Sequence, residues 1–398
     1  MLKQKLWIGI SALLVLIGMA GMINIFLHGE HVMGTTNYVP WGSLIGAYVF
    51  FVATSTGLTF ISSLAHTFKV HKFDVLTKRM TLASIATLLM GFVMIGIELG
   101  NPLAMVYIIL SPNFTAPIFW MGLLYSFYLA LHVVEFYFQL KGDHKKINVI
   151  SPIVLAVAVA AQSTLGAVFG MAVARGYWND AYISIYFILL AFISGLAFVS
   201  IMMFLMSKAD VISKKTKDQI SQLPPVMSKM ILGLLAAAVF FNVWKWIYTL
   251  SGNVPGQADA AMLMAGGALT LPYWLLEVGF VFVVPIVLLL TLKKQQGLAL
   301  MLSGLSMLIG IFAMRMIMVF AGQAIPLNII PGAESATGLR EFSITWSEWA
   351  TFGFGVGGTI LIYILGEKLF NLNLEDDHHT ESEKSGEKMT NTGYKYAR

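Results

Sequence analysis

Apolar runs of about twenty residues, broken by short polar segments, fill most of this chain. They cover 6–27, 41–67, 77–98, 116–140, 149–171, 181–206, 229–250, 268–292, 297–321 and 345–369. A helix rising about 1.5 Å per residue needs roughly twenty residues to cross a hydrocarbon core about 30 Å thick. The runs are continuous rather than alternating in tens, which excludes barrel strands. The pattern predicts an all-α polytopic integral membrane protein with about ten transmembrane helices. The first run follows a basic start, MLKQK, and has no small-residue cleavage site. It reads as a retained first helix rather than a cleaved signal.

Charge alternates from loop to loop. Lys3 and Lys5 precede the first span. Lys69, Lys72, Lys78 and Arg79 follow the second, and Lys141, Lys145 and Lys146 follow the fourth. Lys208, Lys214, Lys215, Lys217 and Lys229 follow the sixth, and Lys293 and Lys294 the eighth. The opposite loops hold only Arg175 and Arg340. Basic loops stay in the cytoplasm, so both termini are expected there. The connection DVISKKTKDQISQLPP divides the chain into a bundle at 1–207, a cytoplasmic linker at 208–228 and a second bundle at 229–370. The polar tail at 371–398 is expected to be disordered.

Composition narrows the picture further. With 58% hydrophobic and 11% charged residues there is little room for a soluble domain. The net charge of +5 resides in topology-setting loops and does not suggest nucleic acid. The chain has no cysteine, so it cannot itself hold a thiolate-bound iron–sulfur cluster, a disulfide or a covalent haem. No Walker, zinc, serine-elbow or dinucleotide motif is present. The His378–His379 pair has no further ligands spaced around it.

The stretch from Glu98 to Glu135 carries the most chemistry. Tyr125, Tyr128, His132 and Glu135 interrupt an apolar span, and 128, 132 and 135 share one helix face. Ionisable groups in hydrocarbon are expensive and usually have a partner or a task. Asn24 and His28 fall at the outer end of the first span, Glu98 at the outer end of the third, and Gln162 near the middle of the fifth. In the second half, Lys245, Glu277 and Arg315 are intramembrane charges, and Glu277 with Arg315 is expected to form a structural ion pair. His66 and His132 are the candidates for an axial haem pair. A quinone site needs an apolar slot, hydrogen-bonding groups and an acid–base group. Asn24, His28, Glu98 and Tyr125 meet that need near the outer surface. A chain without a redox centre must then pass electrons to a partner docked on the outer loops.

The chain resembles the NrfD/PsrC-type membrane subunits of the polysulfide reductase family, in its ten-span branch. The matching pieces, in order, are Trp41-Gly42, ELGNP at 98–102, SPN at 111–113 followed by Trp120, the Pro-rich span with Glu277, and Arg315 followed by Gly322-Gln323. The resemblance covers nearly all of residues 1–370. It implies a subunit in the bacterial cytoplasmic membrane that binds no haem or metal. It exchanges electrons between menaquinone or ubiquinone and a four-cluster ferredoxin-like iron–sulfur subunit on the outer face. Beyond that subunit stands a molybdopterin, hydrogenase or multihaem cytochrome subunit. It also implies a quinone site at Asn24, His28 and Glu98, with Tyr125 or Tyr128 as the helix-four tyrosine. His132, Glu135 and Gln162 are the expected inward proton path. The competing readings are a secondary transporter, which needs interrupted spans near the midplane, and a purely structural anchor.

Overall fold

The computed structural model describes residues 2–100, 102–209, 212–252, 256–325, 342–370 and 372. Among these residues ten helices are long and apolar enough to span a membrane, and there are no strands. We label them α1 (Leu2–His28), α2 (Ser43–His66), α3 (Thr77–Glu98), α4 (Pro117–Lys141), α5 (His144–Gly170), α6 (Ile183–Lys208), α7 (Pro224–Ser251), α8 (Pro272–Thr291), α9 (Gln296–Ala324) and α10 (Trp346–Leu369). The polytopic all-α architecture expected from the hydropathy pattern is present. Arg340, His378 and His379 lie outside the described residues.

Helix α2 is the centre of the molecule. Its most apolar window is 94% buried, against 22% for α1 and α7. It packs against α3, α5, α6, α9 and α10, while α1 lies outermost and packs on α10. Hydrophobic attraction does little between helices in lipid, so close contact depends on small residues. On α2 these are Ser43, Gly46, Ala47, Ala53, Ser55 and Gly57, all buried. Apart from Ser63, its serine and threonine hydroxyls are held by the helix itself or by a neighbour: Thr54 donates to the Phe50 carbonyl at 2.8 Å and Thr56 to that of Val52 at 3.0 Å. At Gly57 the backbones of α2 and α6 touch. A Cβ there would come within 3.0 Å of both the Ala191 carbonyl oxygen and the Gly195 nitrogen.

Two helices begin about five residues earlier than hydropathy suggests. Helix α5 starts at His144, because the Asp143 carboxylate caps it by accepting the Lys146 backbone N–H at 3.2 Å. That bond and the Lys146 ammonium hold the exposed Asp143 carboxyl below the usual range. Helix α7 starts at Pro224, a proline tolerated where no N–H is needed. The basic connection before it contains a further short helix, Lys214–Ser221, capped by Ser213.

Helix α8 is wound as a π-helix from Pro272 to Val283. In that winding the Phe280 carbonyl should accept from the residue five positions on, which is Pro285 and has no N–H. The Ser306 hydroxyl of α9 donates to that carbonyl instead, at 2.7 Å. The widened turn carries Glu277 into the protein interior.

Because Gly57 has no room for a side chain, we expect Gly57→Leu to destabilise the purified full-length chain by about 1–3 kcal/mol through overpacking. Gly233, where a Cβ would meet no atom within 4 Å, serves as control. A thermal melt in detergent checks this, and equal melting of G57L and G233A would contradict the central role of the α2–α6 contact.

Candidate functional site

The polar groups collect in four places. Two lie at the end of the bundle poor in basic residues, where α1, α3 and α9 finish and α2, α4 and α10 begin. There the segment before α2 is clamped to α9. The Trp41 N–H donates to Gln323 Oε1 at 3.0 Å, and Gln323 Nε2 donates back to the Trp41 carbonyl at 2.9 Å. The Trp41 ring stacks on Trp178 with centroids 5.0 Å apart. Trp178 donates its indole N–H to the Met318 carbonyl at 2.7 Å and lies against Gly322, where any side chain would collide with the indole. These aromatics wall an apolar cleft of about 370 Å³, lined also by Pro40, Pro117, Ile118, Val168, Ala172 and Arg175.

Glu98 stands beside this cleft. Its Oε1 accepts the Gly42 N–H at 2.5 Å, one residue after Trp41. Its Oε2 is buried with no hydrogen-bond partner. Asn24 donates to the Ser347 hydroxyl at 2.8 Å, and the exposed His28 has Nδ1 3.1 Å from the Asn24 carbonyl. None of Asn24, His28, Glu98 and Tyr125 lines the cleft itself.

The carboxylate that sequence reading missed is Glu348. It is 1% exposed and accepts five hydrogen bonds. Oε1 takes the Ser43 hydroxyl at 2.7 Å and the Ser43 N–H at 3.3 Å. Oε2 takes the Gly34 N–H at 2.9 Å, the Thr345 N–H at 2.9 Å and the Thr345 hydroxyl at 3.0 Å. With Thr345 it forms a capping box at the start of α10. The signal was legible as T-x-x-E before an apolar run. What the spacing does not reveal is that the same carboxylate also fastens α2.

The third group lies in the core. Tyr128 and His132 of α4 meet three hydroxyls from α2 and α3. The Tyr128 hydroxyl is 2.5 Å from Thr59 Oγ1 and 3.1 Å from Ser84 Oγ. His132 Nε2 is 2.6 Å from Thr59 Oγ1 and 2.9 Å from Ser84 Oγ, and its Nδ1 is 3.0 Å from Glu135 Oε2. Both ring nitrogens thus lie within hydrogen-bonding distance of side-chain oxygens. Below this chain, toward the lysine-rich end, Glu135 Oε1, the Gln139 amide and His66 Nε2 are buried without partners. Tyr125 and Gln162 form a separate pair, with the Tyr125 hydroxyl donating to Gln162 Oε1 at 2.8 Å and Gln162 Nε2 donating to the Phe187 carbonyl at 3.2 Å.

The fourth group surrounds a narrow polar cavity bounded by α6, α7, α8 and α9. Glu277, Arg315, Lys245, Asn242 and Asp180 all face it. Glu277 and Arg315 share this cavity without a direct ion pair between them. Instead the Lys245 ammonium donates to the Tyr177 hydroxyl at 2.6 Å, and the Arg315 guanidinium lies 4.2 Å from the centroid of the Phe187 ring. At the mouth, burial raises the Asp180 carboxyl and the Tyr177 phenol above their ordinary values. Among the described residues no cluster of three His, Asp or Glu side chains is arranged to hold a metal ion.

The family model described as "Polysulphide reductase, NrfD" matches residues 31–327, a span that includes the Trp41–Gln323 clamp, Glu98 and the α4 relay. The chain belongs to the NrfD family. This NrfD protein is also similar along most of its length to three curated relatives. It is 22% identical to a selenate reductase subunit of Mesobacillus selenatarsenatis, over 92% of this chain and 94% of the relative. It is 23% identical to the Hdr-like menaquinol oxidoreductase integral membrane subunit of Archaeoglobus fulgidus, over 87% and 88% of the two chains. It is 25% identical to a putative dimethyl sulfoxide reductase membrane subunit of Halobacterium salinarum, over 87% and 83%.

Glu348 faces five donors, so an amide in its place presents at least one N–H to another donor. We expect Glu348→Gln to lower stability by about 1.5–3 kcal/mol, read as a fall in melting temperature of the purified chain. An unchanged melting temperature would count against Glu348 as the fastener of α2 to α10.

Proposed function

We propose that this NrfD-family protein is the quinone-reactive membrane subunit of a respiratory oxidoreductase complex. The observation that carries the reading is the apolar cleft beside Trp41, with a half-satisfied buried carboxylate, Glu98, bonded to the next residue along. Family membership supports it, as do relatives named as membrane subunits of reductases and of a menaquinol oxidoreductase. The cleft walls are aromatic and aliphatic, suited to a quinone ring and the start of its isoprenoid tail. Gln323 and Arg175 place polar groups at its edge.

In this reading quinol enters from the outer leaflet and is oxidised to quinone, and Glu98 accepts its two protons one after the other through its free Oε2. Asn24 and His28 stand at the same end, where both protons leave to water. The two electrons pass to an iron–sulfur partner subunit docked on the basic-poor face. A molybdopterin, hydrogenase or cytochrome subunit lies beyond it. The basic-poor face is the outer one, and both termini are cytoplasmic. Tyr128, His132 and Glu135 form the core of a proton relay that leads toward the lysine-rich end, with Tyr125 and Gln162 above it. The secondary-transporter alternative needs a central cavity that can hold a solute. The polar cavity near Glu277 has only about 30 Å³ of free space, too little for one.

We expect Glu98→Gln to slow quinol-dependent turnover of the intact complex by about 10²-fold or more, the scale of a lost general base, while the subunits still co-purify. Wild-type turnover in E98Q removes Glu98 from the reaction. For the relay, Glu135→Gln should lower the number of protons moved per electron in proteoliposomes with turnover largely retained. An unchanged ratio argues against that path.

A further inference from the structure

The cavity between α6, α7, α8 and α9 has no part in the quinone reading, and its composition points to a separate task. Its charges balance, with Lys245 and Arg315 facing Glu277 and Asp180. A bound ion of either sign would upset that balance. The atoms left without partners discriminate further. Arg315 Nε and Nη2 can only donate, Gln257 Oε1 can only accept, and the Tyr186 hydroxyl can do both. A halide or oxyanion would serve the donors alone, whereas water serves all of them. The free space of about 30 Å³ accommodates roughly two waters, at 10–15 Å³ each on this measure.

We propose that this cavity is a hydrated proton-exchange site in which Glu277 gains and loses the proton. On release, an O–H bond of the Glu277 carboxyl breaks and an O–H bond forms on a cavity water. The excess proton then leaves past Asp180 toward the basic-poor end. Uptake is the reverse, and no electrons move. The groups facing Glu277 suit it to both states. Lys245 of α7 and Arg315 of α9 supply positive charge for the ionised form. Tyr177, Tyr186 of α6 and Tyr273 of α8 are neutral neighbours within electrostatic reach. Lys245 is held by Tyr177, and Arg315 is held over Phe187, so neither collapses onto Glu277 as a permanent ion pair. Arg315 does not give up its proton in a protein. It and Phe187 therefore close the cavity toward Gln162 and the α4 relay, and the site opens to the basic-poor end.

The test is infrared difference spectroscopy on the detergent-purified full-length chain, titrated from acid to alkaline pH in H₂O and in D₂O. It needs no quinol, so its result is independent of the quinone reading. The expected result is a protonated-carboxyl band that titrates, shifts promptly in D₂O, persists in Glu98→Gln and is lost in Glu277→Gln. Glu277→Asp, which keeps the carboxyl, displaces the band instead of removing it and serves if the amide variant does not fold. A band that survives in E277Q, resists D₂O exchange or is absent at every pH would overturn the proposal.

Discussion

In hydrocarbon a buried polar atom finds no water, and the cost of leaving it unpaired governs how these helices are arranged. Most buried polar side chains here are satisfied locally. Threonines and serines return their hydroxyls to their own helix, as Thr54, Thr87 and Thr359 do. Others bind helix to helix, as Glu348 joins α10 to α2 and Gln323 joins α9 to the segment before α2. The exceptions stand out against this background. Among them are Glu98 Oε2, Glu135 Oε1, His66 Nε2 and Arg315 Nε and Nη2, besides the Gln139 amide and hydroxyls such as those of Ser63, Ser151 and Ser303. Of these, the carboxylate and imidazole atoms can take up a proton, whereas the guanidinium can only donate hydrogen bonds.

These exceptions fall at different depths. Counting 1.5 Å per residue from the nearer helix end places Glu98 at the basic-poor surface and Tyr125 about 12 Å inside it. The same count puts His132 about 13 Å and Glu135 about 9 Å from the lysine-rich end of α4. A carboxylate beside an apolar cleft at one end and a hydroxyl–imidazole–carboxylate chain reaching toward the other are separate devices. Tyr125 and Tyr128 bridge the middle, with ring centroids 6.3 Å apart. This face of α4 is buried against α3 and α5, and its Tyr128 and His132 meet hydroxyls of α2.

The cleft owes its shape to residues that are ordinary in isolation. Trp41 and Trp178 come from two loops far apart in sequence, and α9 holds both, through Gln323 and through the Met318 carbonyl. Gly322 is required because the indole of Trp178 occupies the space its side chain would fill. The order of short motifs that signalled the family therefore has a mechanical basis. Trp41-Gly42, the glutamate of ELGNP and Gly322-Gln323 meet at one place.

Much of this protein was legible along the chain. Ten apolar runs specify ten spanning helices because helix length and bilayer thickness are matched. Spacing alone placed Tyr128, His132 and Glu135 on one face, since 3.6 residues make a turn. The tertiary structure decided which helix that face meets, and so supplied Ser55, Thr59 and Ser84 as its partners. It also decided that Glu277 and Arg315 share a cavity rather than a bond, because a π-wound turn and the hold of Phe187 on the guanidinium set their directions. Glu348 shows the same division. Its capping box is local and readable, but its grip on Ser43 crosses more than three hundred residues of chain, and only the packed fold brings those two ends together.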